Sequence, residues 1–445
     1  MSAVNPALLG ASEAAAAIRA GSLSSRELVQ ACLDRIVEVD DAVGAWAHLD
    51  PGYALKQAAT LDQSRSAGGP AGPLHGVPVG LKDIIDTADM PTENGTVLLQ
   101  GRQPKQDATV VSLLRQAGAV ILGKTVTTEL ATYHPGKTKN PHDPTRTPGG
   151  SSSGSAAGVA SFQMPLAIGS QTNGSVIRPA SYCGVWGYKP SRGLISRFGV
   201  LTQSPPLDIL GFFARSAEDL ALIADALSGF DARDPQMRPH MRPALAATAS
   251  TEPPVAPRIA FVRTPIWDKA DADARAAIED LAEFLGDCVQ EVPLPSAFEH
   301  VIAWHGTVME ADIARSYRPF HDRGRDKLSA SLRHQIERGL AVTAVDYNDA
   351  LSRIELLNYG LSQLFANFDA ILTLPTTGEA PRGLDSTGSP MFCTAWTFCG
   401  TPAVTVPVMQ GENGMPIGAQ LVGPAGDDAR LLRTARWLHN RVTAG

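Results

Sequence analysis

Short apolar runs alternate with helical stretches along most of this chain of 445 residues. The runs Val77–Leu81, Val120–Leu122 and Leu166–Ile168 have the length and composition of buried strands. Between them, Thr109–Gly118 is amphipathic and Ala156–Phe162 is rich in small residues, as expected of helices that pack on a sheet. This alternation predicts an α/β fold, with a large, twisted, mixed and mostly parallel β-sheet covered by helices on both faces.

We expect a single domain over residues 1–445, organised in four segments. Residues 1–62 are predicted to be helical and include a capping box from Ser24 to Glu27. Residues 63–228 hold the strands and helices described above. Residues 229–257 are rich in proline and lack periodicity, which predicts a surface connection. Residues 258–445 begin with a further βαβ-like unit, continue as helices to about Asn367, and end as strand, strand and helix.

Composition excludes several classes of function. The net charge of −7 argues against nucleic acid as an obligate partner, since phosphate binding needs a basic face. No apolar run is long enough to span a membrane, and Met1–Gly10 lacks the pattern of a secretory signal. The five scattered cysteines predict buried thiols in a reducing, cytoplasmic setting. The histidines show no metal-binding spacing, so we expect neither metal nor cofactor.

Two short motifs are coincidental matches. Gly118–Thr125 has the Walker A spacing, but its interior favours a buried strand, and a helix precedes it rather than follows it. Gly150–Gly154 fits the G-x-S-x-G nucleophile elbow, but no strand leads into it. Four histidines follow between His300 and His334, His305 among them, and nothing in the sequence marks one of them as a catalytic base.

A third set of residues is more informative. The Gly/Ser run Gly149–Ser155 opens a helix, Gly169–Ser175 follows a buried strand, and Lys82 ends another strand among apolar neighbours. A serine nucleophile needs a base, and an unprotonated lysine is the recurrent alternative to histidine. Burial would lower the pKa of Lys82 from its ordinary value of about 10.4. On these residues alone, a structural lysine that pairs with Asp83 stays open.

Taken together, these segments resemble the amidase signature family. The resemblance rests on Pro73–Asp83, Pro148–Ala157, Gly169–Ala180 and Cys183–Pro190. It covers nearly the whole chain and is weakest from Phe230 to about Asn367. It implies the amidase-signature fold, with the catalytic groups in residues 63–228 and a variable half that completes the sheet.

The resemblance also implies a Ser-cisSer-Lys triad. Ser175 would be the nucleophile, Ser151 would relay protons from its place after a cis peptide bond, and neutral Lys82 would be the final base. The oxyanion hole would be formed by backbone N–H groups, those of Thr172, Asn173, Gly174 and Ser175. No metal or cofactor takes part.

The nucleophile segment departs from the usual family pattern. Gln171 replaces an aspartate and Asn173 replaces a glycine. Asparagine tolerates a left-handed backbone better than other non-glycine residues, so we expect the oxyanion hole to be kept. This variant looks most like the malonamidase-type branch of stand-alone amidases. In that branch the arginine that matches Arg178 contacts a substrate carboxylate, and a structural salt bridge is the alternative for Arg178.

The resemblance implies a hydrolase of small or aryl amides or carbamates (urethanes), acting on a small molecule without nucleic acid or membrane. A glutaminase A subunit of a tRNA-dependent amidotransferase and an ester-preferring hydrolase are the alternatives, and a homodimer is left open. The pocket would lie after Lys124 and in the C-terminal half. Its candidate residues, each also a core candidate, are Tyr133, His134, Trp304, Phe392 and Trp396.

Overall fold

A computed structural model describes residues 5–239 and 241–444, so the first four residues of Met1–Gly10 lie outside it. Within the described chain, eleven strands form one sheet in the order β1-β3-β2-β4-β6-β5-β10-β11-β9-β7-β8. The strands are β1 (Trp46–Leu49), β2 (Pro78–Lys82), β3 (Val120–Thr125), β4 (Leu166–Gln171), β5 (Trp186–Lys189), β6 (Ile209–Ala214), β7 (Ile259–Phe261), β8 (Val289–Glu291), β9 (Ala370–Thr373), β10 (Ala403–Gln410) and β11 (Pro416–Val422).

Helices cover this sheet. They are α1 (Ala11–Ala20), α2 (Ser25–Val43), α3 (Pro51–Ser66), α4 (Thr109–Gln116), α5 (Ser153–Ala160), α6 (Ile177–Cys183), α7 (Ala217–Leu227), α8 (Leu245–Ala249), α9 (Ala272–Leu285), α10 (Val301–Gly324), α11 (Ala330–Leu340), α12 (Ala344–Phe365), α13 (Met391–Cys399) and α14 (Asp428–Thr443). In the described residues, none of these helices has both the length and the apolar character needed to span a bilayer.

The mixed sheet confirms the predicted fold class. Strands β3, β2 and β4 pair in parallel near one edge, and β9, β7 and β8 pair in parallel at the other. The pairings between β4 and β9 are all antiparallel, which is more than the alternation of strands and helices led us to expect. Part of the reason is that β10 and β11 follow each other through a short turn, and a hairpin joins only antiparallel strands.

Successive side chains of β4 and of β9 point into different apolar cores, because strand side chains alternate between faces. Leu166 and Ile168 of β4 share a core with α4, α7, α9 and α14, whereas Ala167 packs with α2 and α5. In the C-terminal half, Ile371 of β9 packs with α10 to α13, on the side opposite to the first core. Helices therefore cover both faces, as predicted.

The N-terminal capping box is present. Ser24 Oγ accepts a hydrogen bond from the Glu27 N–H at 3.1 Å, and the Glu27 carboxylate accepts one from the Ser24 N–H at 2.8 Å. These two bonds satisfy N–H groups that lack partners at a helix start, so α2 begins at Ser25.

Some elements were not predicted. Strand β5 has all four residues buried, so it shows neither the alternation of a half-exposed strand nor a long apolar run. The segment 229–257 is more than a surface connection, because it contains α8, whose Leu245 and Ala249 are buried in the first core. The Leu245 N–H donates to the Asp225 carboxylate at 2.9 Å, which fixes the start of α8.

Asp219 of α7 should contribute measurably to stability, because its buried carboxylate accepts the N–H groups of Ala11 and Ser12 at 2.8 and 2.7 Å. We expect Asp219→Ala to lower the free energy of unfolding in urea by about 1–3 kcal/mol. The control is Asp41→Ala, since the Asp41 side chain is exposed. An equal and small effect of both substitutions would contradict this prediction.

Candidate active site

Lys82 ends strand β2, and its side chain is fully buried. Its Nζ lies 2.7 Å from Ser151 Oγ and 2.8 Å from Ser170 Oγ. In the described structure no ion pair joins Lys82 to Asp83, so the structural alternative considered for this lysine is wrong. The amine is instead directed at two hydroxyl groups, one of them on a predicted catalytic serine.

The surroundings of Lys82 favour the neutral amine. Burial lowers the pKa of Lys82 well below its ordinary value, because the charged form loses its hydration. The Asp208 carboxylate acts in the opposite direction, and the Arg178 guanidinium lowers the pKa further. A neutral lysine at 2.7 Å from a serine hydroxyl can accept a proton from it.

Ser151 follows a cis peptide bond with Gly150, as the family resemblance implies. The Gly150 carbonyl accepts a hydrogen bond from Arg178 Nη2 at 2.5 Å, and the Ser151 carbonyl accepts one from the Thr128 N–H at 3.2 Å. A Cβ atom on Gly150 would lie only 2.7 Å from Cγ2 of Thr387, so a larger residue there would have to displace the Thr387 side chain.

Ser175 lies in the loop between β4 and α6 and is partly exposed. The side chain of Gln171 shapes this loop, since its Oε1 accepts the N–H groups of Val176 and Ile177 at 2.8 and 3.0 Å. Its Nε2 donates to Thr397 Oγ1 at 2.9 Å. The amide that replaces the usual aspartate therefore folds the chain back around Ser175.

The backbone donors of this loop are free. The N–H groups of Thr172, Asn173, Gly174 and Ser175 donate to no acceptor among the described residues. Asn173 does not have a positive φ, so the loop does not use the left-handed backbone that asparagine tolerates. The loop is shaped by hydrogen bonds instead, and four free N–H groups together can bind a negatively charged oxygen.

Oxygen acceptors of the same loop, those of Asn173 and Gly174, are occupied. Thr397 Oγ1 donates to the Asn173 carbonyl at 2.5 Å, and Thr394 Oγ1 donates to Asn173 Oδ1 at 2.8 Å. The Gly174 carbonyl accepts the Arg178 N–H at 3.0 Å. Contacts that hold only the carbonyl and side-chain oxygens fix the loop while leaving its donors available.

A family model described as "Amidase" matches residues 27–432 of this chain. The chain belongs to the amidase family. The A subunit of the glutamyl-tRNA(Gln) amidotransferase of Azoarcus sp. (strain BH72) is 36% identical, and the alignment covers 95% of this chain and 96% of the relative.

Solved structures, a peptide amidase among them, resemble this one closely. The native peptide amidase from Stenotrophomonas maltophilia has a TM-score of 0.84 and 31% identity, over 98% of this chain and 97% of that one. A vestigial protein complex that reveals the evolutionary origins of an s-triazine catabolic enzyme has a TM-score of 0.91 and 28% identity, over 97% of this chain and 98% of that one.

Arg178 of this amidase is buried and binds backbone rather than a carboxylate. Its Nη1 donates to the Gly388 carbonyl at 2.6 Å, its Nη2 donates to Gly150, and a longer bond of 3.3 Å reaches Thr387 Oγ1. Arg178 makes no ion pair within the described residues, so the structural salt bridge considered for it is wrong. The guanidinium links the serine segment to the chain at residues 387–388.

Tyr133 and His134 are exposed and line an open cavity of about 870 Å³. Thr387 and Gly388, the contacts of Arg178, line the same cavity. The pKa of Tyr133 is raised, because its hydroxyl end lies in surroundings that exclude water, and the Arg178 guanidinium acts in the opposite direction. Because Arg178 joins Gly388 to Gly150, this cavity adjoins the peptide that precedes Ser151.

The other predicted pocket residues lie elsewhere. Trp396 is fully buried and packs against Phe298 with ring centroids 6.3 Å apart, so its assignment to the substrate pocket is wrong. Phe392 is also buried, because α13 is enclosed on all sides by the core. Trp304 lines a separate surface cavity with Arg338.

Three residues of the site were not predicted, namely Ser170, Asp208 and His305. Ser170 contacts Lys82, and Asp208 Oδ1 accepts a hydrogen bond from Thr172 Oγ1 at 2.7 Å. Burial raises the pKa of Asp208 to about 6. Ser170 lies within the nucleophile motif, and its position two residues after the predicted strand end at Ile168 was the available signal. Nothing in the sequence near Asp208 or His305 indicates their contacts.

In the described chain no three His, Cys, Asp or Glu side chains come together as a metal site.

Arg178→Met should leave the carbonyls of Gly150 and Gly388 without a donor. We expect it to lower the free energy of unfolding by about 2–4 kcal/mol and to reduce turnover of substrates with and without a carboxylate alike. Arg318→Met is the control, since the Arg318 side chain is 71% exposed. A loss confined to carboxylate-bearing substrates would instead show that Arg178 recognises the substrate.

Proposed function

We propose that this amidase hydrolyses the C–N bond of a carboxamide through an acyl-enzyme on Ser175. The observation that carries the proposal is the contact of 2.7 Å between the buried amine of Lys82 and Ser151 Oγ. The free N–H groups of the Ser175 loop support it, because acyl transfer passes through an oxyanion that needs such donors.

In the acylation step, Ser175 Oγ attacks the amide carbonyl and its proton passes to Ser151 Oγ. The proton of Ser151 passes in turn to Lys82 Nζ, which becomes an ammonium. The developing oxyanion accepts hydrogen bonds from the loop. When the C–N bond breaks, the leaving amine takes a proton from Lys82 by way of Ser151, and an ester on Ser175 remains.

Hydrolysis of the ester on Ser175 uses the same three side chains. A water molecule attacks the ester carbonyl and gives its proton to Ser151, which passes one to Lys82. The bond to Ser175 Oγ then breaks and this oxygen takes back a proton. The acid leaves, and Lys82 is neutral again, so one amide and one water give one acid and one amine without a net proton change on the enzyme.

Two classes of substrate are the first to test. One is a small or aryl amide, or a carbamate (urethane) with the same kind of C–N bond, that the chain hydrolyses alone. The second candidate is glutamine, and the specific observation that favours it over a carbamate is the similarity of nearly the whole chain to the A subunit of glutamyl-tRNA(Gln) amidotransferase. The charged groups around the open cavity, among them Glu129, Lys327 and Asp385, are compatible with an amino-acid amide.

Ser175→Ala should abolish turnover, since it removes the nucleophile; we expect a loss of at least about 10³-fold. The purified chain would be given an acyl anilide, an aryl carbamate, an ester and glutamine, with release of aniline, phenol or ammonia as the measure. Ser161→Ala, a buried serine just after α5, is the control. Amide turnover that survives in Ser175→Ala would contradict the mechanism, and turnover of glutamine alone would favour the second candidate.

The pH dependence of kcat/KM should report Lys82. Because the neutral amine is the base, activity should rise with pH through the lowered pKa of Lys82 and then level off well below pH 10.4. Asp208→Asn removes the charge that raises this pKa, so the rise should move to lower pH. Activity that keeps increasing up to pH 10, in either protein, would show that Lys82 is not held neutral.

A further inference from the structure

Thr172, the first residue of the Ser175 loop, is held from outside the catalytic segment. His305 Nε2 lies 2.9 Å from the Thr172 carbonyl oxygen, and the His305 side chain is buried. A carbonyl only accepts hydrogen bonds, so Nε2 carries the hydrogen and donates it. Burial lowers the pKa of His305 to about 4, which leaves the imidazole neutral near pH 7.

A second connection joins the same helix to the same residue. Asp312 lies two turns after His305 on α10 and accepts a hydrogen bond from Ser204 Oγ at 2.7 Å. The Ser204 N–H donates to Asp208 Oδ2 at 2.9 Å, and Asp208 in turn holds Thr172 Oγ1. Residues seven apart lie on one face of a helix, so one face of α10 fixes both the carbonyl and the hydroxyl of Thr172.

We propose that His305 is a positioning residue for the Ser175 loop, whose free N–H groups are the proposed oxyanion donors. Its hydrogen bond fixes the peptide plane after Thr172, and this plane contains the N–H of Asn173, one of the free donors. The inference rests on the proposed acyl chemistry, in which donors stabilise charge only if they are aimed before the reaction. His305 itself touches no reacting group, because its Nε2 is occupied by the Thr172 carbonyl.

This role accounts for the contact between the Ser175 loop and residues 258–445, the variable half of the chain. His305 is 133 residues from Thr172 in sequence and also packs edge-to-face on Phe398, with centroids 6.1 Å apart. The ring is therefore held on one side by α13 and directed on the other at the loop. It is not a general base, since it is enclosed and hydrogen-bonded to backbone.

The test compares three substitutions of His305. Gln can place an amide N–H where Nε2 lies, Asn has the same amide one carbon shorter, and Leu has no donor. We expect His305→Gln to keep kcat within about threefold of the wild type, and Asn and Leu to lower it about 10- to 100-fold with KM unchanged. If the Leu variant does not fold, the comparison of Gln with Asn still decides the matter.

Val308→Ala is the matched control, since Val308 is buried on the same helix and makes no hydrogen bond to the loop. Thermal unfolding of every variant is measured beside kcat. Equal kcat in the wild type and in the Asn and Leu variants would overturn the inference. The inference would also be overturned if Val308→Ala lowered kcat as much as His305→Leu does at the same change in Tm. An effect of the His305 substitutions on KM alone would overturn it as well.

A second readout separates this inference from the proposed function. A fluorophosphonate probe reacts with an activated serine, and its rate of labelling of Ser175 also depends on the oxyanion donors. Labelling that is absent in the wild type would refute the nucleophile itself. Labelling of the wild type that is equally fast in His305→Leu would refute only the positioning role, whereas a rate about 10-fold slower, restored in His305→Gln, would support it.

Discussion

The full burial of the Lys82 amine is the constraint on which the rest of this site depends. An ammonium group in that position would lose its hydration with no carboxylate in contact, so burial favours the neutral form. The neutral amine then needs polar partners, and two serine hydroxyls supply them. Because Lys82 ends β2 and Ser170 belongs to the adjacent, parallel β4, the sheet itself sets the distance between them.

The same constraint organises the surrounding charges. Asp208 and Arg178 act on the pKa of the lysine in opposite directions, so these two long-range effects partly offset each other and the effect of burial dominates. Each of these charged groups also holds a neighbouring segment in place, since Asp208 binds Thr172 and Arg178 binds Gly150. Electrostatic tuning and loop geometry are therefore coupled, and a substitution at either residue changes both.

The site residues that could be predicted from the sequence are those that stand in short, contiguous motifs. Lys82, Ser151 and Ser175 stand in local motifs, and the strands around them have apolar runs that predict the sheet. Contacts from distant elements were not predictable in this way. His305 and Thr397 reach the loop from 133 and 224 residues away, and a single histidine or threonine on a helix carries no pattern that marks its partner. Trp396 was misassigned for a related reason, since an aromatic residue near a site looks the same in sequence whether it lines a pocket or fills a core.

The hydrogen bonds of the Arg178 guanidinium limit which parts of the cavity wall can change between related amidases. The guanidinium joins the Gly150–Ser151 peptide to residues 387–388, which form part of the wall of the open cavity. That wall is held through a backbone carbonyl and one hydroxyl, so most side chains nearby are free of this tether. A segment transplanted from another amidase could replace this wall and reshape the cavity, provided that it places a carbonyl oxygen where that of Gly388 lies. The cavity can then diverge between relatives while the proposed proton relay keeps its geometry.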